Sequence, residues 1–347
     1  MLYHHPFTDR RSRKKERRKL LLVLLALVVL LAAILLVGPL MKRLEPVPEN
    51  AGSSGAAGAS QIYDYEEPEN IITYNGHSYR LKENLSTVLI LGIDDPELTE
   101  TEGVRNTSQA DLLILAVYDP GENKSTLIQL NRDTMVDMPT VGGLGEISGT
   151  TWGQLALAHT YGSSQEQCCE NTRWTVSNLL YNVTIDSYVA VTMASIPVIN
   201  DLVGGVTVTI EDNFEGIDDN LAWGSTITLH GEEAETFVRS RSGMADDKSN
   251  LNRMSRQRQY MTGLAESFRS CMASDEDFSL RVYEALSGDL VTDCTVDELV
   301  TYAELFSRDG LGEIVSPEGT ITEGEVYIEF YPDETALKEL VLDIFYE

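Results

Sequence analysis

Basic residues are scarce in this chain. Its 347 residues include 26 Lys and Arg against 55 Asp and Glu, which gives a formal net charge of −29. Ten of the basic residues lie in the first 43 positions, so residues 44–347 carry only 16 basic but 53 acidic side chains. A body this acidic repels phosphate backbones, and the composition therefore excludes non-specific nucleic-acid binding. With 42% hydrophobic residues the chain can still build a core, which excludes wholly disordered and collagen-like classes.

Cysteine and histidine are also rare. The chain has four cysteines and five histidines, with no Cys-x-x-Cys pair and no histidine cluster. This pattern disfavours a zinc site and a dithiol redox centre. A disulfide is permitted outside the cell, and three complete pairings remain open for Cys168, Cys169, Cys271 and Cys294.

An uncharged segment lies near the start of the chain. Residues 20–41 are 22 largely apolar positions, which as a helix span about 30 Å, the thickness of a membrane's hydrocarbon core. Eight Lys and Arg lie in residues 10–19, whereas only two directly follow the segment. The positive-inside rule therefore predicts a single-pass cell-membrane protein with a cytoplasmic tail at 1–19, a transmembrane helix at 20–41 and an extracellular remainder. The alternative is a cleaved signal peptide, but this apolar run exceeds the ~7–15 residues of such peptides.

The exported part divides into a linker and a domain. Residues 44–70 are rich in Pro, Gly, Ser and acidic residues without an apolar period, which predicts a flexible linker. Residues 71–347 alternate strand and helix patterns, which predicts an α/β domain around one mixed sheet. A hairpin is predicted at 71–81 because Asn75–Gly76 separates two β-prone runs. The other predicted strands are 87–93, 111–118, 125–130, 188–192, 206–210 and 326–330, and the predicted helices are 154–161, 165–180, 194–202, 253–268, 295–306 and 334–345.

Basic residues are concentrated in one stretch of the acidic exported part. Residues 239–258 hold six of them, where an even distribution would give about one. Arg239 and Arg241 are two positions apart, which on a strand places both side chains on one face. Because guanidinium groups bind phosphate bidentately, convergence with a second set would form a phosphate site, while the alternative is surface ion pairing. The second set has the i, i+3, i+4 spacing of one helix side: Arg253, Arg256 and Gln257.

Carboxylates follow or precede two predicted strands. Asp94 comes directly after the strand at 87–93, and Asp111 begins the next strand. Carboxylates at strand ends suit a hard divalent cation that also binds waters and substrate phosphate oxygens. Capping of a turn or helix is the alternative.

An Arg-Asp pair follows the next predicted strand. Arg132 and Asp133 come directly after residues 125–130. The pair is either a turn with a local ion pair or a part of a reactive site.

Taken in order, these segments resemble the LytR-CpsA-Psr family of cell-envelope proteins. The resemblance covers about residues 85–270 and the membrane anchor, and it rests on the segments VLILGIDD, QADLLILAV, LIQLNRDTM, LVGGVTV, LHGEEAETFVRSR and NRMSRQRQ. It implies a three-layer α/β/α domain with a pocket for a lipid tail. It also implies a Mg²⁺-dependent phosphotransferase that moves a glycopolymer from a polyprenyl-(pyro)phosphate carrier to a peptidoglycan acceptor. An older label of the family, transcriptional attenuator, implies a regulatory alternative.

The resemblance assigns roles to individual residues. By resemblance, Asp94 and Asp111 match metal-side carboxylates, and Arg132 and Asp133 match the family's Arg-Asp pair, with Asp133 expected to orient or deprotonate a sugar hydroxyl. The sequence departs from the family at three places. Pro96 and Gln109 each replace an expected arginine, and Asn250 replaces an expected aspartate. The residues that match, or lie close to, the family's pyrophosphate-binding set are Arg105, Arg239, Arg241, Arg253, Arg256 and Gln257.

Two other classes of function compete with the ligase. A non-enzymatic module could bind envelope lipids or polymers with the same arginines and without turnover. A gene regulator is the third class, but the predicted cytoplasmic tail has only 19 residues, which is too short for a DNA-binding fold.

Overall fold

A computed structural model describes residues 63–95, 105–240, 250–275, 278–295, 298 and 312–347. The predicted cytoplasmic tail and transmembrane helix lie outside these residues, as do Arg241 and nearly all of the predicted helix at 295–306. Among the described residues, no helix combines the length and the apolar character that a membrane crossing requires.

The domain is organised around a mixed six-stranded sheet, as predicted. Its strand order is β11-β8-β3-β4-β5-β12. The central strand β3 pairs antiparallel with β4 and parallel with β8, while β5 pairs antiparallel with β4 and parallel with β12. The strands are β3 (Ser86–Ile93), β4 (Ala110–Asp119), β5 (Lys124–Leu130), β8 (Ser187–Thr192), β11 (Leu290–Thr292) and β12 (Glu313–Val315).

Alternate residues of the sheet face two separate hydrophobic cores. In β3, Val88 and Ile90 belong to one core, whereas Leu89 and Leu91 belong to the other. Because neither face of this strand meets water, its sequence is a continuous apolar run rather than an alternating one. The first core is covered by α2 (Ser195–Leu202), α3 (Glu232–Arg239), α4 (Leu251–Ser274) and α5 (Phe278–Leu286), and the second by α1 (Gln165–Leu179) and α6 (Glu334–Phe345). The described part of the chain therefore has the predicted three layers.

Four two-stranded antiparallel pairs accompany the sheet in the described part of the chain. The predicted one is confirmed: β1 (Ile71–Tyr74) and β2 (His77–Arg80) flank Asn75 and Gly76, whose φ angles of 50° and 79° give the turn that this dipeptide favours. The other three pairings were not predicted, although the strands at 206–210 and 326–330 were, because pairing with a distant strand leaves no local pattern. They are β6 (Met135–Val141) with β7 (Ile147–Gln154), β9 (Val206–Thr209) with β10 (Thr226–Leu229), and β13 (Gly319–Glu323) with β14 (Ile328–Pro332).

Two sequence-based helix boundaries change in the structure, and one permitted bond does not form. The predicted helix at 154–161 is a short 3-10 helix, Leu155–Thr160, that follows directly after β7. The predicted helix at 253–268 is part of the longer α4. All four cysteines are unpaired, so the disulfide that the sequence permitted is absent from the described residues.

The prediction of a flexible linker at 44–70 is wrong at the end of that segment. Tyr63 is buried and donates a hydrogen bond to the Gln167 carbonyl at 3.3 Å, and the Trp174 indole donates to the Asp64 carbonyl at 2.9 Å. Two aromatic residues in this otherwise polar segment supply the apolar surface that packs on α1. The domain therefore begins at or before Tyr63, and residues 44–62 lie outside the described part.

Candidate functional site

The candidate site lies at one edge of the central sheet. Asp94 follows the end of β3, and Asp111 is the second residue of β4. Because these strands are antiparallel, the end of one meets the beginning of the other, and the Asp94 amide donates to the Gln109 carbonyl at 2.8 Å. Arg132 follows β5 at the same edge. The topology thus brings together residues that the sequence separates by up to 38 positions.

Asp111 is the centre of a buried ion cluster. Its side chain is 5% exposed, and its two oxygens accept from two different arginines, Oδ1 from Arg132 and Oδ2 from Arg253 at 2.9 Å. Arg132 also donates to the side-chain oxygen of Gln109. Two guanidinium groups thus share one carboxylate in surroundings of low polarity, where electrostatic interactions are strong.

Two asparagines connect this cluster to the start of α4. Arg253 donates from Nε to the Asn250 Oδ1 at 2.7 Å, and the Asn250 amide donates to the Asn131 Oδ1 at 3.1 Å. Asn131 Oδ1 also accepts from the Asp133 backbone amide at 3.0 Å. Asn250 needs both a donor and an acceptor to make this link, which an ionised aspartate cannot supply. The asparagine that stands in place of the expected aspartate therefore forms a hydrogen-bond bridge here.

Arg239 provides a partly exposed positive charge at this edge. It is the last residue of α3, so the predicted strand geometry is wrong at Arg239, while Arg241 lies outside the described residues: three acidic residues in the first turn and a buried apolar side favour a helix. Its side chain is 40% exposed and donates to Asp94, itself 38% exposed, and to Glu235. Burial opposes the charged form, but the hydrogen bond to Glu235 and the charges of Asp94 and Asp111 raise the pKa of Arg239.

The side chains of Arg256 and Gln257 form hydrogen bonds with other groups of the protein. Arg256 is buried and donates to the backbone carbonyls of Phe237, at 2.8 Å, and Ser240, while its Nε lies 2.8 Å from Asp212. The Gln257 side-chain oxygen accepts from the Gln129 amide at 3.2 Å. Arg256 thus fastens the end of α3 to α4 and fixes the direction in which Arg239 leaves the helix.

Arg105 lies apart from the arginine cluster. Its guanidinium stacks on the Tyr161 ring at 4.9 Å from the centroid, and the two residues form an isolated β-bridge. Among the contacts of the described residues, none joins Arg105 to Asp94 or Asp111.

Asp133 is supported by a residue that the sequence did not indicate. Its carboxylate is buried, and its Oδ1 accepts from the Gln154 amide at 2.9 Å and lies 3.5 Å from Arg132 Nε. Gln154 also donates to the Ile328 carbonyl at 2.8 Å. Gln154 ends a strand without alternating apolar residues, and its partner Ile328 is 174 positions away, so no local signal identifies it.

The carboxylates fit a magnesium ion unequally. Mg²⁺ usually takes one or two carboxylates together with waters and substrate phosphates. Asp94, partly exposed at the edge, suits that pattern. Asp111 does not, because both of its oxygens already bind guanidinium groups. Among the described residues, no three His, Cys, Asp or Glu side chains are grouped closely enough to hold a metal by themselves.

The arrangement is suited to binding a phosphate-bearing ligand at an edge with fixed positive charge. Arg132 and Arg253 are oriented by Asp111, and Arg239 lies on the more open side of the same edge. Guanidinium groups held in place before binding lose little entropy when an anion arrives.

Comparisons with known proteins agree with this fold. The LytR_cpsA_psr family model matches residues 52–340. A relative from Enterococcus faecalis, named polyisoprenyl-teichoic acid–peptidoglycan teichoic acid transferase TagU, is 30% identical over 230 residues, which are 66% of this chain and 67% of that protein. The protein of the same name from Bacillus subtilis is 30% identical over 184 residues, 53% of this chain and 52% of that protein. These alignments span between half and two thirds of the two relatives.

Solved structures share the architecture. The crystal structure of B. subtilis TagV superposes with a TM-score of 0.56 at 24% identity, covering 76% of this chain and 96% of that chain. The structure of TagT bound to LI-WTA superposes with a TM-score of 0.56 at 19% identity, covering 76% of this chain and 90% of that one. At these identities the similarity shows a common fold.

Proposed function

The chain belongs to the LytR-CpsA-Psr family, and from that membership we propose that it transfers a glycopolymer from a polyprenyl-(pyro)phosphate carrier to peptidoglycan. The relatives named as teichoic acid transferases support this class of reaction. The observation that carries the proposal for this chain is the row of arginines at the sheet edge, with Arg239 open to a ligand and two others fixed behind it by Asp111.

The arginines would act by electrostatic stabilisation. When the bond between polymer and carrier breaks, negative charge grows on the departing polyprenyl phosphate. Arg239 is placed to donate to that phosphate in exchange for its contact with Asp94. Arg132 and Arg253 add positive potential without having to move, because Asp111 already holds them.

Magnesium is part of this proposal, with Asp94 as the protein ligand. A bound Mg²⁺ would neutralise pyrophosphate charge. Asp111 would contribute indirectly, by orienting arginines.

Asp133 is proposed as a positioning residue. Its buried carboxylate is fixed by Gln154 and lies beside Arg132, so it sets the orientation of the Arg-Asp turn after β5. An acceptor hydroxyl would approach this turn from the open side of the edge.

We further propose that residues 20–41 anchor the chain in the cell membrane, with residues 1–19 in the cytoplasm. The charge difference across this segment supports that orientation. The domain would then lie on the side of the membrane where peptidoglycan is found.

The experiment is a transfer assay with full-length protein in detergent, a purified polyprenyl-linked glycopolymer and peptidoglycan. Arg239→Ala should reduce kcat/KM by about ten- to a hundredfold, since a charge-assisted contact made in the transition state is worth ~1.5–3 kcal/mol. Arg239→Lys should recover part of the rate, because an ammonium group lacks the planar fork.

The matched control is Arg281→Ala. Arg281 is also half exposed and also pairs with a carboxylate, Asp275, but it lies on α5 away from the sheet edge. Equal small effects of the two substitutions would refute a catalytic role for Arg239. Binding of the carrier lipid without any transfer, with and without Mg²⁺, would identify a binding module instead of an enzyme.

A further inference from the structure

One arginine of the basic stretch at 239–258 is bound only by neutral groups. Arg258 is half-buried on α4, and it donates from Nε to the Gln129 side-chain oxygen and from Nη2 to the Ser316 hydroxyl at 2.8 Å. In the part of the chain that the structure describes, no Asp or Glu forms an ion pair with it. The other described arginines of this stretch and of the sheet edge each pair with a carboxylate, and they are Arg132, Arg239, Arg253 and Arg256.

The helix around Arg258 supplies no carboxylate either. Between Leu251 and Ser274, α4 contains four arginines and a single acidic residue, Glu266, which lies two turns away. Burial therefore lowers the pKa of Arg258 with no opposing charge. A cation that is partly removed from water without a counterion is unfavourable by itself, and binding of an anion relieves that cost. The residues one turn from Arg258 are Met254, Ser255, Met261 and Thr262.

The guanidinium group of Arg258 keeps donors for a ligand. It has more N–H groups than its bonds to Gln129 and Ser316 use. Its Nη1 has no hydrogen-bond partner among the described residues, and it is not a buried atom. Because Nε and Nη2 are already held, the planar group is fixed before a ligand arrives. A fixed guanidinium binds an oxyanion through charge-assisted hydrogen bonds with little loss of entropy.

Arg258 lies at the same edge of the sheet as the candidate site. The strands β3, β5 and β12 run parallel to one another, so their carboxyl ends meet at this edge. Asp94, the partner of Arg239, follows β3. Gln129 is the last residue but one of β5, and Ser316 follows β12. In the strand order β3-β4-β5-β12, Arg239 is therefore bound at the first strand and Arg258 at the last two.

The separation of these two arginines exceeds the length of one pyrophosphate. Gln129 lies two strands and Ser316 three strands from β3. With strands about 4.8 Å apart, the two arginine partners are roughly 10–14 Å from the strand that precedes Asp94. A donor whose pyrophosphate is bound by Arg239 therefore reaches Arg258 only with a further anionic group. A phosphodiester in the polymer beyond the linkage is such a group.

We propose that Arg258 forms an anion subsite on the β12 side of the edge, where it binds a phosphodiester group of the donor polymer. The inference rests on the proposed function and adds to it a basis for selecting the polymer. Arg239 and its neighbours bind the linkage to the carrier, which every donor has. Arg258 binds a charge that only an anionic polymer carries, and it lies outside the residues that the family resemblance assigns.

The test compares two donors of equal polymer length with full-length protein in non-ionic detergent. One is a polyprenyl-pyrophosphate-linked glycerol phosphate polymer, and the other is a polyprenyl-pyrophosphate-linked neutral glycan. Arg258→Gln should raise the KM for the glycerol phosphate donor about tenfold, the order expected for loss of one charge-assisted hydrogen bond. The KM for the neutral donor and kcat for both donors should remain unchanged. Arg258→Lys should restore part of the KM, because it keeps the charge without the planar fork.

Arg269→Gln is the matched control, because Arg269 is an exposed arginine further along the same helix. An equal rise of the glycerol phosphate KM in the two variants would reduce the effect to net charge and overturn the subsite. A KM that rises equally for both donors in Arg258→Gln would overturn it in favour of a structural tie between α4, β5 and β12. Unchanged donor KM values would overturn it too, and a raised KM for peptidoglycan alone would assign Arg258 to a carboxylate of the acceptor instead.

Calorimetric titration with a lipid-free glycerol phosphate oligomer separates the subsite from the proposed function. If the wild-type protein transfers neither polymer but binds the oligomer about tenfold more tightly than Arg258→Gln does, the transferase proposal fails and the subsite stands. If transfer occurs and the oligomer binds equally to the two proteins, the subsite fails and the transferase stands.

Discussion

Two buried ion clusters lie at opposite ends of β3, and their charges are shared in different ways. At the end near Ile93, one carboxylate, Asp111, is shared by two arginines. At the other end, one guanidinium, Arg173 of α1, is shared by two carboxylates, Glu170 and Asp293. Both clusters are buried to a similar degree, so burial alone does not distinguish a candidate site from a structural tie.

The cluster around Arg173 is closed by its own protein partners. Arg173 binds both oxygens of Glu170 at 2.7 Å and Asp293 at 2.8 Å, and it donates to the Tyr65 hydroxyl at 3.2 Å. It thereby joins α1, the end of β11 and the segment before β1. Burial raises the pKa of Glu170 and of Asp293, although Arg173 opposes the shift.

The difference between the clusters lies in access. Arg173 is enclosed by its protein partners, whereas Arg132 and Arg253, which share Asp111 and have Asp133 as a second carboxylate beside Arg132, lie at an edge that also carries a half-exposed pair, Arg239 with Asp94. An anion site therefore requires an arginine that can exchange an exposed carboxylate for a ligand.

The largest effect is expected from breaking the closed cluster. Arg173→Leu leaves Glu170 and Asp293 buried without their cation, which should lower the free energy of unfolding by about 3–5 kcal/mol at pH 7.5. The loss should be smaller at pH 5, because carboxylates with raised pKa values take up protons and become neutral. Urea denaturation of the isolated variant at both pH values measures this.

The transfer assay provides the second half of that test. The Arg173→Leu variant, assayed at a low temperature at which it is folded, should have the wild-type KM for the donor. A raised donor KM would contradict the assignment of this cluster to structure alone.

A smaller loss of stability is expected at the site end. Asp111→Asn removes the charge that two buried arginines share, which should cost about 2–3 kcal/mol in the free energy of unfolding. Transfer should fall as well, because Arg132 and Arg253 lose their common anchor. Denaturation and transfer measured on the same preparation separate the two effects.

Asp94→Asn is the matched comparison for Asp111→Asn. Asp94 is partly exposed, so its substitution should cost less than about 1 kcal/mol of stability. In the proposal it should instead weaken the Mg²⁺ dependence of transfer. Equal stability losses in the two variants would show that Asp111 is not the internal anchor.

The last of these effects concerns pH and the buried base His159, which lies behind the site edge. Its Nδ1 is 2.9 Å from the Ser108 carbonyl, and burial lowers the pKa of His159 to about 4. As the pH falls, His159 is therefore protonated in the unfolded chain before it is protonated in the folded one. The stability that comes from the neutral ring is complete above about pH 6.5 and is lost as the pH falls towards 4. At pH 5 the loss should be about 2 kcal/mol.

His159→Gln isolates that contribution. The carboxylates at the other end of β3 change the stability with pH in the direction opposite to His159. Subtracting the stability profile of the variant from that of the wild type cancels their contribution. A difference that is constant between pH 7.5 and pH 5 would contradict a neutral buried His159.

Much of the fold was predictable because its strongest signals are local. The apolar runs of β3 and β4, the Asn75–Gly76 turn and the periodicity of α1 each encode their own geometry within a few residues. The strands β7 and β13 were missed, because these polar strands gain stability from neighbours rather than from their own pattern.

The candidate site was predictable in its residues and less so in its contacts. Asp111, Arg132 and Arg253 were all identified, but the sequence assigned Asp111 to a metal, and the structure places two arginines on it. Gln154 was missed entirely. Its role depends on Asp133 and on a strand that follows far later in the chain.

The sequence by itself determined the class of the domain, the family resemblance and the concentration of arginines in an acidic chain, because composition and short-range spacing are properties of neighbouring residues. Only the tertiary structure decided which charges are shared, which are buried and which remain open. Those properties depend on the edge where β3, β4 and β5 meet and on the long-range docking of α4 and β14 against it. Burial strengthens each pairing by excluding water, so the same arginine is an internal anchor at one position and an open cation at another.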